Sequence, residues 1–310
     1  MHRGLSATAE ALKRQTMTRD HPLLPYAVTL AAVGLFSLMD AMMKEAALAV
    51  GAFSALLLRN ALGLALIGPV WLARRRGWPG RAAMRIHLVR GVVASAMAFT
   101  FFWGIARIPL AEGIALSFVA PLIALHLAAL LLGERIRPGA IGASLVGLAG
   151  VAVITFGRAR GGGWSEDAGW GTGSVLVSSL LYAWNLVLQR QQALAAGPLE
   201  VAAFQTGVVC LVLLVFAPLA FAMPARETWP AIAAAAALAL AAVLLLAWSY
   251  ARAEAQALVP LEYSGFLWAA LFGWLFFAER VTLPVLLGAG LIVGACWIAA
   301  PKRPTEQTAA

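Results

Sequence analysis

The chain has 310 residues, 62% of them hydrophobic and only 12% charged, against about 45–50% and about 25% for an ordinary soluble domain. A chain so poor in charge is not a solvated globular protein, and its length holds about ten helical spans of about 20 residues with little left for a soluble domain. The net charge of +9 lies dispersed between apolar runs, which argues against nucleic acid as a partner and for basic residues acting as orientation signals in a lipid bilayer.

In chain order, apolar runs fall near Leu24 to Lys44, Phe53 to Leu72, Ile86 to Ala106, Ala111 to Leu132 and Gly139 to Phe156. A second set follows near Thr172 to Gln189, Leu199 to Phe221, Ala231 to Ala251, Ala257 to Phe277 and Leu283 to Ala299. Glycine, proline and arginine punctuate the breaks, as at Arg74 to Gly80 and Gly133 to Pro138. The glycine-rich stretch around Gly161 to Asp167 is the longest break and is expected to join two halves. The division reads as 1–157 for a first repeat with a cytoplasmic tail, 158–170 for an extracytoplasmic linker, and 171–310 for a second repeat with a short cytoplasmic tail. The basic N-terminal stretch is expected to be a retained tail, because its first apolar run is too long for a signal-peptide core.

Counting Lys and Arg on alternate sides fixes an orientation. With the N-terminus inside, fifteen fall in cytoplasmic segments and five in outer ones, and positive residues of short loops stay in the cytoplasm. Both termini are therefore expected there. Lys44, Arg59 and Arg90 are left over, inside or at the ends of spans.

Trp103-Gly104-Ile105-Ala106-Arg107 matches Trp248-Ser249-Tyr250-Ala251-Arg252, and Glu134-Arg135 matches Glu279-Arg280. The offset is constant, since 248 − 103, 252 − 107 and 279 − 134 each give 145. It also aligns Asp40 with Asn185 and Lys44 with Gln189. Five spans per repeat is an odd number, so the second copy enters the membrane from the opposite side. The expected fold is an all-α membrane protein of ten transmembrane helices in two inverted five-helix repeats. Many secondary transporters have this architecture, with the substrate site between the halves and alternating access by rocking.

The five-plus-five layout, Asp40-x-x-x-Lys44, Arg59, and the hinge residues Pro121, Gly133-Glu134-Arg135 and Gly142, with second-half counterparts Asn185-x-x-x-Gln189, Glu279-Arg280 and Gly288, resemble the EamA-type family of the drug/metabolite transporter superfamily. The resemblance implies a bacterial inner-membrane carrier that exports amino acids, including aromatic ones, or carries other small metabolites. It also implies a central cavity lined by helices one to four and six to nine, with the fifth and tenth as scaffold. Phe266 stands where the first half has Pro121, so a symmetric kink is not expected from the residues alone.

Asp40 and Lys44 share one helix face, and Arg59 enters from the same side, so a charge cluster or gate is one reading. In the other, Lys44 snorkels at the outer interface and Asp40 ties Arg59. Asn185, Gln189 and Gln205 are candidate substrate-binding amides able to donate and accept at once, or else interhelical glue. Glu262 stands alone in the ninth span, a carboxylate suited to protons or a substrate amine, or a partner for Arg252. His126 is weighed between a binding role and a satisfied hydrogen bond. Tyr182, Trp184, Tyr250, Tyr263 and Trp268 are candidate cavity walls, while Trp71, Trp78, Trp103, Trp164, Trp170 and Trp229 are expected in interfacial belts. Gly290-x-x-x-Gly294 is expected to allow close helix packing. Glu134-Arg135 and Glu279-Arg280 are expected to brace the hinges.

There is no phosphate-binding glycine loop for ATP, no catalytic constellation, and no metal spacing. Cys210 and Cys296 read as small buried side chains. The sequence therefore points to a non-ATP secondary exporter of amino acids or similar small metabolites, without a cofactor, as a monomer or homodimer. The alternatives are uptake of a larger amphipathic vitamin or nucleoside derivative, or a structural subunit or intramembrane enzyme.

Overall fold

The computed structural model describes residues 23–75, 77–132, 138–160, 165–250, 252–253, 258 and 261–299. They form α1 (Leu24–Val50), α2 (Ala52–Arg74), α3 (Arg81–Ile105), α4 (Leu110–Ser117), α5 (Ala120–Leu132) and α6 (Pro138–Arg160). After the break come α7 (Glu166–Ala195), α8 (Pro198–Ala220), α9 (Trp229–Tyr250), α10 (Gly265–Phe277) and α11 (Leu283–Ala299), with no strand among the described residues. Each apolar run overlaps one of these helices or a broken pair. By length and composition α1, α2, α3, α6, α7, α8 and α9 can each cross a bilayer, while α4–α5, α10 and α11 supply shorter apolar stretches.

Local chemistry sets the junctions. Gly51 alone separates α1 from α2 at φ +84°, where a side chain would be strained. The Ser165 hydroxyl accepts from Ala168 N at 3.1 Å and caps α7, with Glu166 and Asp167 in the first turn, where the helix dipole favours acids. Of the linker expected over 158–170, residues 158–160 belong to α6 and 166–170 to α7, while 161–164 lie outside the described residues.

The fourth span breaks between α4 and α5, and its second-half counterpart breaks at the equivalent place. Val119 N bonds Leu116 O, and Leu122 N and Ile123 N both bond Val119 O. With 145 added, Ser264 N bonds Leu261 O, and Leu267 N and Trp268 N both bond Ser264 O. Pro121 sits in the first turn of α5, where its missing N–H costs nothing. At the matching position Phe266 N bonds Tyr263 O. The kink is therefore symmetric although the proline is not.

Helix pairing follows the same two-fold relation. α1 packs on α9 as α7 packs on α3, α1 on α10 as α7 on α4 and α5, and α2 on α9 as α8 on α3. α2 pairs with α8, and α6 with α11. The close α6–α11 approach is not at Gly290-x-x-x-Gly294, whose Cβ positions meet nothing within 4 Å. It is at Gly150 and Gly288, where an added Cβ on Gly288 would lie 2.6 Å from Gly150 O. Leucines, valines and phenylalanines remain exposed around the outside, as at Leu211, Val215 and Leu287, which suits contact with lipid. Trp71 departs from the expected interfacial belt. It is buried, with its ring edge-on to Phe204 at 5.1 Å and to Trp78 at 5.4 Å.

Candidate functional site

A cavity of about 530 Å³ lies between the halves, walled by α2, α3, α8 and α9 and reaching the α7–α8 connection at Ala196 and Pro198. Three pairs of repeat-equivalent residues line it: Asn60 with Gln205, Ala94 with Ala239, and Ala98 with Val243, each 145 apart. The cavity therefore straddles the pseudo-twofold axis. Its charge does not follow that symmetry. Arg59 and Arg90 line it from the first half, whereas their equivalents are Phe204 and Ala235.

At the α3 N-terminal end a buried polar chain joins three helices. Arg90 Nε donates to Asn185 Oδ1 at 3.1 Å and Arg90 NH1 to Gln192 Oε1. Gln192 Nε2 reaches His87 Nδ1, and His87 Nε2 lies 3.1 Å from Glu200 Oε1. A ring carrying its hydrogen on Nε2 meets both of its contacts at once, donating to Glu200 and accepting from Gln192. Phe204 stacks on His87 with centroids 4.6 Å apart. His87 and Gln192 have no exposed surface, so this chain fixes α3, α7 and α8 together beside the cavity.

At the other end of α3 the halves are locked by charge. From Arg90 to the end of α3 at Ile105 is about 22 Å at roughly 1.5 Å per residue. Lys44 there pairs with Glu279 and donates to Ile108 O at 2.7 Å, with Phe277 beneath its ammonium at 5.1 Å. The other Glu279 oxygen accepts from Leu110 N at 2.7 Å, so a carboxylate of the second half caps the N-terminus of α4 in the first. Ala278 makes this possible by taking φ 53°, which turns the chain at the end of α10 and bonds Glu279 N to Gly273 O. Glu112 and Arg158 pair nearby at 2.6 Å. With Glu279 and Arg280 they line a smaller cavity of about 260 Å³.

The expected Asp40, Lys44 and Arg59 cluster is thus divided. Lys44 is buried in the lock rather than snorkelling, because Glu279 and a free carbonyl offer partners inside the bundle. Asp40 lies within electrostatic reach of Arg59, but no ion pair joins them. Glu262 is not alone: the Tyr250 hydroxyl donates to it, and Tyr182 is within electrostatic reach of both and of Arg90. Arg252 instead stacks on Trp248 at 4.1 Å, as Arg107 stacks on Trp103 at 3.5 Å, so the repeated motif makes the same contact in both halves.

Among the candidate amides, Asn185 is tied to Arg90, while Gln189 and Gln205 line the cavity. His126 lies outside that lining and bonds Leu122 O at 2.9 Å, with Ser144 Oγ at 3.5 Å. Trp268 stacks on Phe272 and packs on α1 at Gly34, and Tyr263 meets Phe118. Glu134 and Arg135 lie outside the described residues. Sequence reasoning missed His87, Gln192 and Glu200. The available signal was a histidine one turn before an intramembrane arginine on α3.

The chain is 29% identical over 268 residues to the pseudopaline exporter CntI of Pseudomonas aeruginosa (strain UCBPP-PA14), covering 84% of this chain and 90% of that one. It is 27% identical over 229 residues to a riboflavin transporter of Rhizobium johnstonii, covering 70% and 72%. Over 156 residues, half of each chain, it is 26% identical to the aromatic amino acid exporter YddG of Ancylobacter novellus. A solved crystal structure with 22% identity superimposes with a TM-score of 0.59, covering 90% of this chain and 98% of the other, which shows a shared fold. The EamA-like transporter family matches twice, over residues 23–156 and 169–300. With two matches that together cover most of its length, the chain belongs to the EamA-like transporter family.

Proposed function

We propose that this protein is a secondary exporter of amino acids or similar small metabolites, working by alternating access across the bacterial inner membrane. Ten spans in two inverted repeats, with both termini cytoplasmic, make up the scaffold. The observation that carries this reading is the cavity on the two-fold axis. It lies beside the α7–α8 connection, and the Lys44–Glu279 lock ties the two halves together at the far end. In this arrangement the cavity faces the cytoplasm, which receives substrate before outward release. Breaking the lock while α4 and α10 straighten or rotate about their equivalent broken turns exposes the same cavity to the other side. The α6–α11 pair stands apart from the cavity as scaffold.

The test is counterflow in proteoliposomes containing only this protein, with a panel of labelled amino acids and, separately, riboflavin. Saturable exchange of amino acids supports the reading. Exchange of riboflavin alone favours a larger amphipathic cargo, and flux equal to protein-free liposomes overturns transport.

A further inference from the structure

Among the described residues the cavity wall holds two cations and no acid. Arg90 is committed to Asn185 and Gln192. Arg59 is not: its Nε is fully buried without a hydrogen-bond partner, and Asp40 is near but not in contact. A second cavity-lining group is in the same condition, since Gln205 Oε1 is also buried and unpartnered. Its repeat equivalent Asn60 turns back to bond Leu56 O at 2.8 Å, so the amide left bare is on the second half and the bare guanidinium on the first.

Buried donors and acceptors without partners carry a desolvation cost that a ligand removes when it supplies the missing atoms. A guanidinium edge fits a carboxylate by two parallel hydrogen bonds. An amide oxygen takes an N–H. Apart from Asn60, Gln189 and Thr206 the rest of the wall is apolar, including Ile67, Met97, Val209 and Leu240, and suits a hydrocarbon or aromatic side chain.

We infer that Arg59 is the carboxylate receptor and Gln205 the acceptor for an amine of the same molecule, so the cavity selects compounds with an α-amino carboxylate end and an apolar remainder. This deepens the transport reading and rests on it for the passage across the membrane. Binding of the headgroup does not depend on it. A molecule held this way touches both halves of the chain, because Arg59 and Gln205 belong to different repeats.

The experiment uses the full chain in nanodiscs for equilibrium binding and in proteoliposomes for flux, with L-phenylalanine, 3-phenylpropionate and 2-phenylethylamine as probes. Wild type is expected to bind the two carboxylates at least tenfold more tightly than the amine. Arg59→Gln, and the double variant Arg59→Gln/Asp40→Asn that removes both charges, should abolish that preference. Gln205→Leu should weaken L-phenylalanine by at least fivefold and leave 3-phenylpropionate unchanged. A wild type that prefers the amine, no saturable binding of either carboxylate, or arginine variants that lower all three probes alike would overturn the assignment. Binding with the expected preference but without flux keeps the subsite and refutes transport.

Discussion

Phe118 and Tyr263, 145 residues apart and equivalent in the two repeats, meet edge to face with ring centroids 5.2 Å apart and planes at 88°. A residue touching its own symmetry mate lies beside the two-fold axis. Each also sits at the broken turn of its span, so the two breaks face one another across that axis. The Ser179 hydroxyl donates to Val175 O at 2.9 Å and lies 3.5 Å from Leu116 O, and the Ser37 hydroxyl donates to Gly265 O at 3.2 Å. Leu116 O is met by Val119 N within the break itself, and Gly265 O is met from α1, as an apolar surrounding requires.

The lock predicts a coupling between Lys44 and Glu279. Removing one partner of a buried pair costs about 3–5 kcal/mol, because the other charge stays buried and unpaired. Lys44→Met and Glu279→Gln should each lower thermal stability in detergent. The double variant should be less destabilised than the two single effects added together. Additive losses in that cycle would mean that the pair does not act as a unit.

Asn185 and Gln205 should behave differently although both are amides inside the membrane. Asn185→Leu leaves Arg90 short of an acceptor and should cost about 1–3 kcal/mol of stability, with little change in the affinity of the surviving fraction. Gln205→Leu should leave the melting temperature near wild type and act on substrate binding. Unfolding and binding measured on the same preparations distinguish the two roles.

How far the sequence discloses this protein depends on the kind of contact involved. Hydropathy locates the spans, and charged residues in register reveal the repeat, because both are carried along the chain. The symmetric break at Phe118 and Tyr263 is hidden, since the prolines beside it do not repeat: Pro121 has Phe266 as its equivalent and Pro260 has Ala115. Lys44 and Glu279 are 235 positions apart. Composition shows that an intramembrane lysine needs a partner without showing which carboxylate reaches it. Asn185 and Gln205 look alike as residue types. Only the position of Arg90 separates the amide that braces the bundle from the one facing the cavity.

Gly288 and Gly290 give a direct comparison within α11. Gly288→Ala pushes a methyl against Gly150 O and Ile154 and should destabilise by about 1–3 kcal/mol, as overpacking does. Gly290→Ala meets nothing within 4 Å and should stay within about 0.5 kcal/mol of wild type. Thermal unfolding of the two variants measures this.

Ala278 takes a left-handed conformation that costs an L-residue about 1–2 kcal/mol, and the first half has Gly133 at the equivalent position. Ala278→Gly relieves that strain and makes the unfolded chain more flexible, so the net gain expected is about 0.5–1 kcal/mol. Flux should be unaltered if Glu279 keeps its place. A loss of stability would show that the turn does not need its positive φ.

The central claim is that one cavity is reached from alternate faces of the membrane. Ala98 lines that cavity, and a cysteine there, with Cys210 and Cys296 replaced by alanine, can be titrated with a membrane-impermeant thiol reagent in oriented vesicles. With the Lys44–Glu279 lock intact, Ala98→Cys should label from the cytoplasmic face. With Glu279→Gln added, labelling from the outer face should rise several-fold. Labelling from one unchanged face in both proteins, or from neither, would contradict alternating access through this cavity.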